Sequence, residues 1–93
     1  MSDVLLELSS VLEKRKRELP EGSYTAYLMT AGENEILKKL GEEAVEVILA
    51  AKDEGDERVI YEMADLIYHA LVLLVDRELS WQDVEIELQR RYS

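Results

Sequence analysis

Two apolar stripes of helical period, each laced with acidic residues and joined by a five-residue break, constrain this chain more than any other feature. Ile36, Leu37, Leu40, Ala44, Val47, Ile48 and Ala51 recur at the spacing of one helix face, which predicts a helix from about Glu33 to Lys52. Ile60, Met63, Ala64, Ile67, Leu71, Leu74 and Val75 predict a second, from about Glu57 to Arg77, with that stripe facing the core. The break, "DEGDE" (Asp53 to Glu57), reads as a tight turn around Gly55, so the two helices are expected to run antiparallel side by side.

The rest of the chain reads as helix too. The four glycines and single proline fall at boundaries. Val4, Leu5, Leu8, Val11 and Leu12 predict a first helix from about Asp3 to Glu18, ended by "PEG" at Pro20 to Gly22, with the basic run Lys14 to Arg17 serving its C-terminal end. "SYTAYLMTAG", Ser23 to Gly32, has no clear period and is expected to be a loop with one helical turn. Ser80 can cap a last helix that carries Asp83 near its positive end and closes near Arg90 and Arg91, with Trp81 as a core or interface anchor. The expectation is a single all-α domain over residues 1–93, built from four to five helices. A chain this short buries only part of its surface. Ala70 to Val75 is apolar on every side and needs neighbours all round, so a homodimer completing a larger bundle is expected.

Composition excludes several classes. A net charge of −10 argues against nucleic-acid binding, which needs basic surfaces to neutralise phosphates. The longest apolar run, Ala70 to Val75, is far too short to span a bilayer, so no membrane role is expected. Basic residues follow the apolar ones at the N-terminus and acidic residues interrupt them, unlike a secretory signal. The chain has no cysteine, which rules out disulfides and thiolate metal sites and fits a cytoplasmic location.

The acidic residues are patterned. Glu43 and Glu46 are three apart on one helix, Glu62 and Asp65 three apart on the next, and His69 continues the second face one turn on. Glu46 and Glu62 lie about 13 and 10 Å from the turn, at ~1.5 Å per residue, so the two pairs can converge. Glutamates at helical spacing often form a solvated face, and Lys38–Glu42 and Lys39–Glu43 are ordinary i,i+4 pairs. Glu46 and Asp65, however, sit within apolar "AVEVILA" and "MADLIY". Four like charges there need basic partners or a divalent cation, and oxygen-only donors favour a hard ion such as Mg2+ or Mn2+. A lone histidine on an apolar helix is more often a hydrogen-bonded core or rim residue than a ligand. With one histidine, the chain lacks the paired Glu-x-x-His motifs of di-iron bundles.

"SYTAYL" (Ser23 to Leu28), "ILKKLGEEAVEVILAAK" (Ile36 to Lys52), "EMADLIYHALVLL" (Glu62 to Leu74) and "LSWQDVEIELQRR" (Leu79 to Arg91) closely resemble the phosphoribosyl-ATP pyrophosphatases of histidine biosynthesis, within the MazG-related all-α nucleotide pyrophosphatases. The resemblance covers nearly the whole chain. It implies Mg2+ (with Mn2+ as a substitute) on Glu43, Glu46, Glu62 and Asp65, which match the family's Glu-x-x-Glu and Glu-x-x-Asp. It implies hydrolysis of phosphoribosyl-ATP to phosphoribosyl-AMP and pyrophosphate, with Glu42, Glu43 or Glu46 orienting or deprotonating the water. It also implies substrate contacts from Lys38, Lys39, Lys52, Ser23, Tyr24, Thr25 and His69. The chain departs from the family at Tyr27, where many members carry a basic residue, and at Glu78, where many have glycine. No cyclohydrolase domain accompanies the sequence, which reads as the stand-alone form. The alternatives are a housecleaning pyrophosphatase for noncanonical nucleoside triphosphates and a non-catalytic helical dimerisation module.

Overall fold

The computed structural model describes residues 3–93, which form five α-helices and, among the described residues, no strand. Helix α1, Val4–Glu18, starts where the Asp3 carboxylate accepts from the Leu6 amide at 3.0 Å. It buries Leu12 completely and Leu5 and Leu8 in part, while Val4 and Val11 stay exposed, so its apolar face is narrower than its sequence stripe.

Helix α2, Tyr24–Ala31, replaces the expected loop. Ser23 caps it, its hydroxyl accepting from the Ala26 amide at 3.2 Å. Two turns suffice to bury Thr25, Ala26 and Leu28, and two of those side chains are too small or too polar to register as an apolar stripe.

Helix α3, Glu33–Leu49, ends earlier than expected. The chain continues through a π-helical turn, Ala50–Glu54, which carries Lys52 and closes with the Gly55 amide donating to the Ala50 carbonyl at 3.2 Å. Gly55, at φ 96°, lets the chain reverse directly into α4, Asp56–Asp76. The hairpin of α3 and α4 is the most extensive packing in the protein. Leu12, Leu28, Ile36, Leu71, Val72 and Val75 form the core, and Trp81 packs against it.

Two expectations about faces change. Ile60 and Met63, expected in the core, are 70% and 40% exposed. Together with Leu37, Val45, Ile48 and Leu49 they leave an apolar surface on the hairpin. The basic run also reaches beyond its own helix. Arg15 and Arg17 stay in the last turn of α1, but the Lys16 ammonium donates to the Val75 and Asp76 carbonyls, both at 3.2 Å, at the C-terminus of α4. Glu78, at φ 60°, occupies a left-handed conformation that favours glycine. Helix α5, Trp81–Arg90, opens on the expected cap, with Ser80 and Asp83 bonding each other's amides at 2.9 and 3.2 Å.

Candidate active site

The hairpin brings Glu43 on α3 against Asp65 and His69 on α4, with one donor atom of each within 4.8 Å of the others. His69 is buried. Its Nδ1 lies 2.8 Å from the Asp65 backbone carbonyl and 3.4 Å from an Asp65 carboxylate oxygen. A carbonyl only accepts, so Nδ1 carries the proton, and in the neutral ring Nε2 accepts from the Tyr24 hydroxyl at 2.9 Å. Both ring nitrogens are thus engaged. His69 steadies Asp65 and ties α4 to α2, and the oxygen donors are the two carboxylates.

Glu43 holds its proton above the usual carboxylate range, first because burial disfavours its charge and next because the Asp65 carboxyl faces it. Two carboxylates this close, on facing helices, repel each other unless a cation lies between them, and a hard divalent ion balances them directly. The donor set therefore fits such an ion. Glu46, half-buried one turn further along α3, and Glu62 lie outside this group of three. Glu62 is buried, and its carboxylate is 2.8 Å from the Arg58 guanidinium.

The residues of "SYT" divide between scaffold and surface. Ser23 is occupied as the cap of α2, and the buried Thr25 hydroxyl bonds the Tyr68 hydroxyl. Tyr24 leaves part of its ring in solvent beside a groove of about 680 Å³. Glu42, exposed, pairs with the half-buried Lys39 at 3.4 Å. Lys38 and Lys52 are exposed. Sequence reasoning missed Arg58 and Tyr68. The four-residue spacing of Arg58 and Glu62 was the available signal for the first, whereas the contact of Tyr68 with Thr25 is purely tertiary.

Fold and site together define an all-α protein with a carboxylate pair across a helical hairpin, a donor set for a divalent cation. The family model for phosphoribosyl-ATP pyrophosphohydrolase matches residues 5–92. The phosphoribosyl-ATP pyrophosphatase of Metallosphaera sedula is 55% identical over 91 residues, covering 98% of each chain. That of Leptospira biflexa is 50% identical over 91 residues, covering 98% of this chain and 99% of its own. That of Haloarcula marismortui is 53% identical over 91 residues, covering 96% and 93%. The chain belongs to the phosphoribosyl-ATP pyrophosphohydrolase family.

Proposed function

We propose that this chain hydrolyses phosphoribosyl-ATP to phosphoribosyl-AMP and pyrophosphate in histidine biosynthesis, acting in the cytoplasm as a homodimer. The observation that carries the reading is the Glu43–Asp65 pair, set across the hairpin in a chain matched to the family over nearly its full length. Glu43 and Asp65 are the residues that would hold Mg2+, and Glu62, one turn before Asp65 on α4 and paired with Arg58, is a further carboxylate the ion could recruit. When bound, the ion neutralises charge on the phosphate oxygens.

The chain's own groups supply the rest. Polyphosphate hydrolysis needs an aligned water and a base to accept its proton as the anhydride breaks. Glu42 is engaged by Lys39 and Glu43 faces Asp65. Glu46 is half-buried and, among the described residues, forms no ion pair, so it is the carboxylate best able to orient and deprotonate the water. Lys38, Lys39 and Lys52 meet the phosphates as point charges. His69, held on both sides, keeps Asp65 in place. The apolar surface of Leu37, Val45, Ile48, Leu49, Ile60 and Met63 supports dimerisation, because each is 40–70% exposed and so leaves about half of the roughly 1.5–3 kcal/mol of a full burial unrealised.

The test is pyrophosphate release from phosphoribosyl-ATP, ATP and dUTP, each with and without Mg2+. The proposal expects Mg2+-dependent release from phosphoribosyl-ATP well above the other two. Preferred turnover of dUTP would assign the chain to nucleotide housecleaning instead.

A further inference from the structure

We propose that the groove beside α2 seats the purine ring of the substrate and that Tyr27 is the face on which it stacks. This rests on the reading of the chain as a phosphoribosyl-ATP hydrolase.

The groove, about 680 Å³, lies within the range of small-molecule sites and is lined mainly by Leu19, Pro20, Tyr24, Ala26, Tyr27 and Thr30. The Tyr24 and Tyr27 rings lie nearly parallel, 28° apart with centroids at 6.2 Å, yet remain 44% and 52% exposed. Tyr68 extends the row on the other side of Tyr24, at 6.4 Å and 24°. Both lining rings are held at their tips, Tyr24 by His69 at 2.9 Å and Tyr27 by donating to Glu35 at 3.1 Å. Rings fixed in this way lose little freedom when a flat ligand settles on them.

Position and charge select the base over the phosphates. The Tyr24 hydroxyl bonds His69, whose Nδ1 donates to the Asp65 backbone carbonyl and lies 3.4 Å from the Asp65 carboxylate, so the aromatic row ends beside the carboxylate pair. A substrate with its polyphosphate at Glu43 and Asp65 therefore directs its other end along α2. Lys39, paired with Glu42 at 3.4 Å, is a cation close enough to act on the hydroxyls of both Tyr24 and Tyr27. The groove beyond is lined by rings, aliphatic carbons and small hydroxyl side chains, and a purine offers a π-face to such rings.

The experiment titrates AMP and ribose 5-phosphate calorimetrically into the Mg2+-loaded wild type, Tyr27→Ala and Tyr27→Phe. Phosphoribosyl-ATP kinetics are measured on the same proteins. The wild type is expected to bind AMP more tightly than ribose 5-phosphate. Tyr27→Ala should weaken AMP binding and raise KM about 10-fold, with ribose 5-phosphate affinity and kcat held within about 2-fold. Tyr27→Phe, which keeps the ring and loses the bond to Glu35, should retain the AMP preference. Absence of an AMP preference in the wild type would overturn the proposal. So would equal losses for both ligands in Tyr27→Ala, or a loss in Tyr27→Phe as large as in Tyr27→Ala. Wild-type pyrophosphate release alongside any of these results fails the purine seat alone, whereas no release fails the function beneath it.

Discussion

Arg58 holds Glu62: its guanidinium lies 2.8 Å from a carboxylate that is 3% exposed, one turn along the same helix. Arg58 itself is 47% exposed, rests 4.5 Å from the Tyr61 ring centroid, and reaches Glu54 at 3.6 Å. Removing it leaves a buried carboxylate without its cation. Arg58→Ala is expected to destabilise the metal-free protein by roughly 2 kcal/mol, below the 3–5 kcal/mol of a fully buried pair because one partner reaches solvent. Urea unfolding without divalent ions checks this. Mg2+ should restore part of the loss, since Glu62 then has another cation to meet.

Glu43 gives a stability test with a definite sign. Its proton affinity is raised in the folded state, chiefly by burial and then by Asp65. A carboxyl raised on folding imposes no penalty below the unfolded value of 4.5 and a growing one as pH rises from there through the folded value. Metal-free protein should therefore lose stability through this group as pH climbs from 4.5 through the folded value, with no further loss above it. Glu43→Gln should raise the metal-free Tm at pH 7 and reduce the further rise that Mg2+ gives the wild type. Scanning calorimetry of both proteins with EDTA and with Mg2+ is the measurement.

Glu78 spends its side chain in a backbone conformation that glycine adopts freely, at φ 60°. The left-handed region costs a non-glycine residue about 1–2 kcal/mol, and glycine returns part of that through the greater entropy of its unfolded chain. Glu78→Gly is expected to stabilise the protein by roughly 0.5–1 kcal/mol with turnover unchanged. Chemical denaturation reads the first quantity and steady-state rates the second.

Ile60 is 70% exposed on the apolar face of the hairpin. Sedimentation at micromolar concentration is expected to give at least twice the chain mass of 10.7 kDa. Ile60→Asp should shift it toward monomer and lower Tm. A wild type that sediments as a stable monomer would contradict the dimer.

Much of this was legible in the sequence, for a physical reason. The apolar periods of α3 and α4 and the break at Gly55 define a hairpin that brings the acidic pairs together, but helix rise levelled Glu46 with Glu62, whereas the carboxylates that meet are Glu43 and Asp65, about one turn further from Gly55. The cap of α5 was equally plain, because Ser80 and Asp83 satisfy amides only three residues away. Helix α2 was not, since of its three buried side chains only Leu28 is large and apolar and its tyrosines stay about half exposed. Nor was the bond between Tyr24 and His69, which joins positions 45 residues apart. The stripe of Ile60 and Met63 showed that the two share a face, but a period does not say whether the same chain covers it.

The proposal that most needs testing is that Glu43 and Asp65 hold the divalent ion of this pyrophosphohydrolase. Pyrophosphate release from phosphoribosyl-ATP by the wild type and by Asp65→Glu, each across a Mg2+ titration, tests it most directly. The longer side chain keeps the charge but moves it by roughly 1.5 Å, about one methylene, and Mg2+ tolerates little departure from its ~2.0–2.1 Å octahedral geometry. The account expects Mg2+-dependent release by the wild type and a loss of at least about 100-fold in Asp65→Glu. Near-normal turnover of Asp65→Glu at ordinary Mg2+ would contradict it.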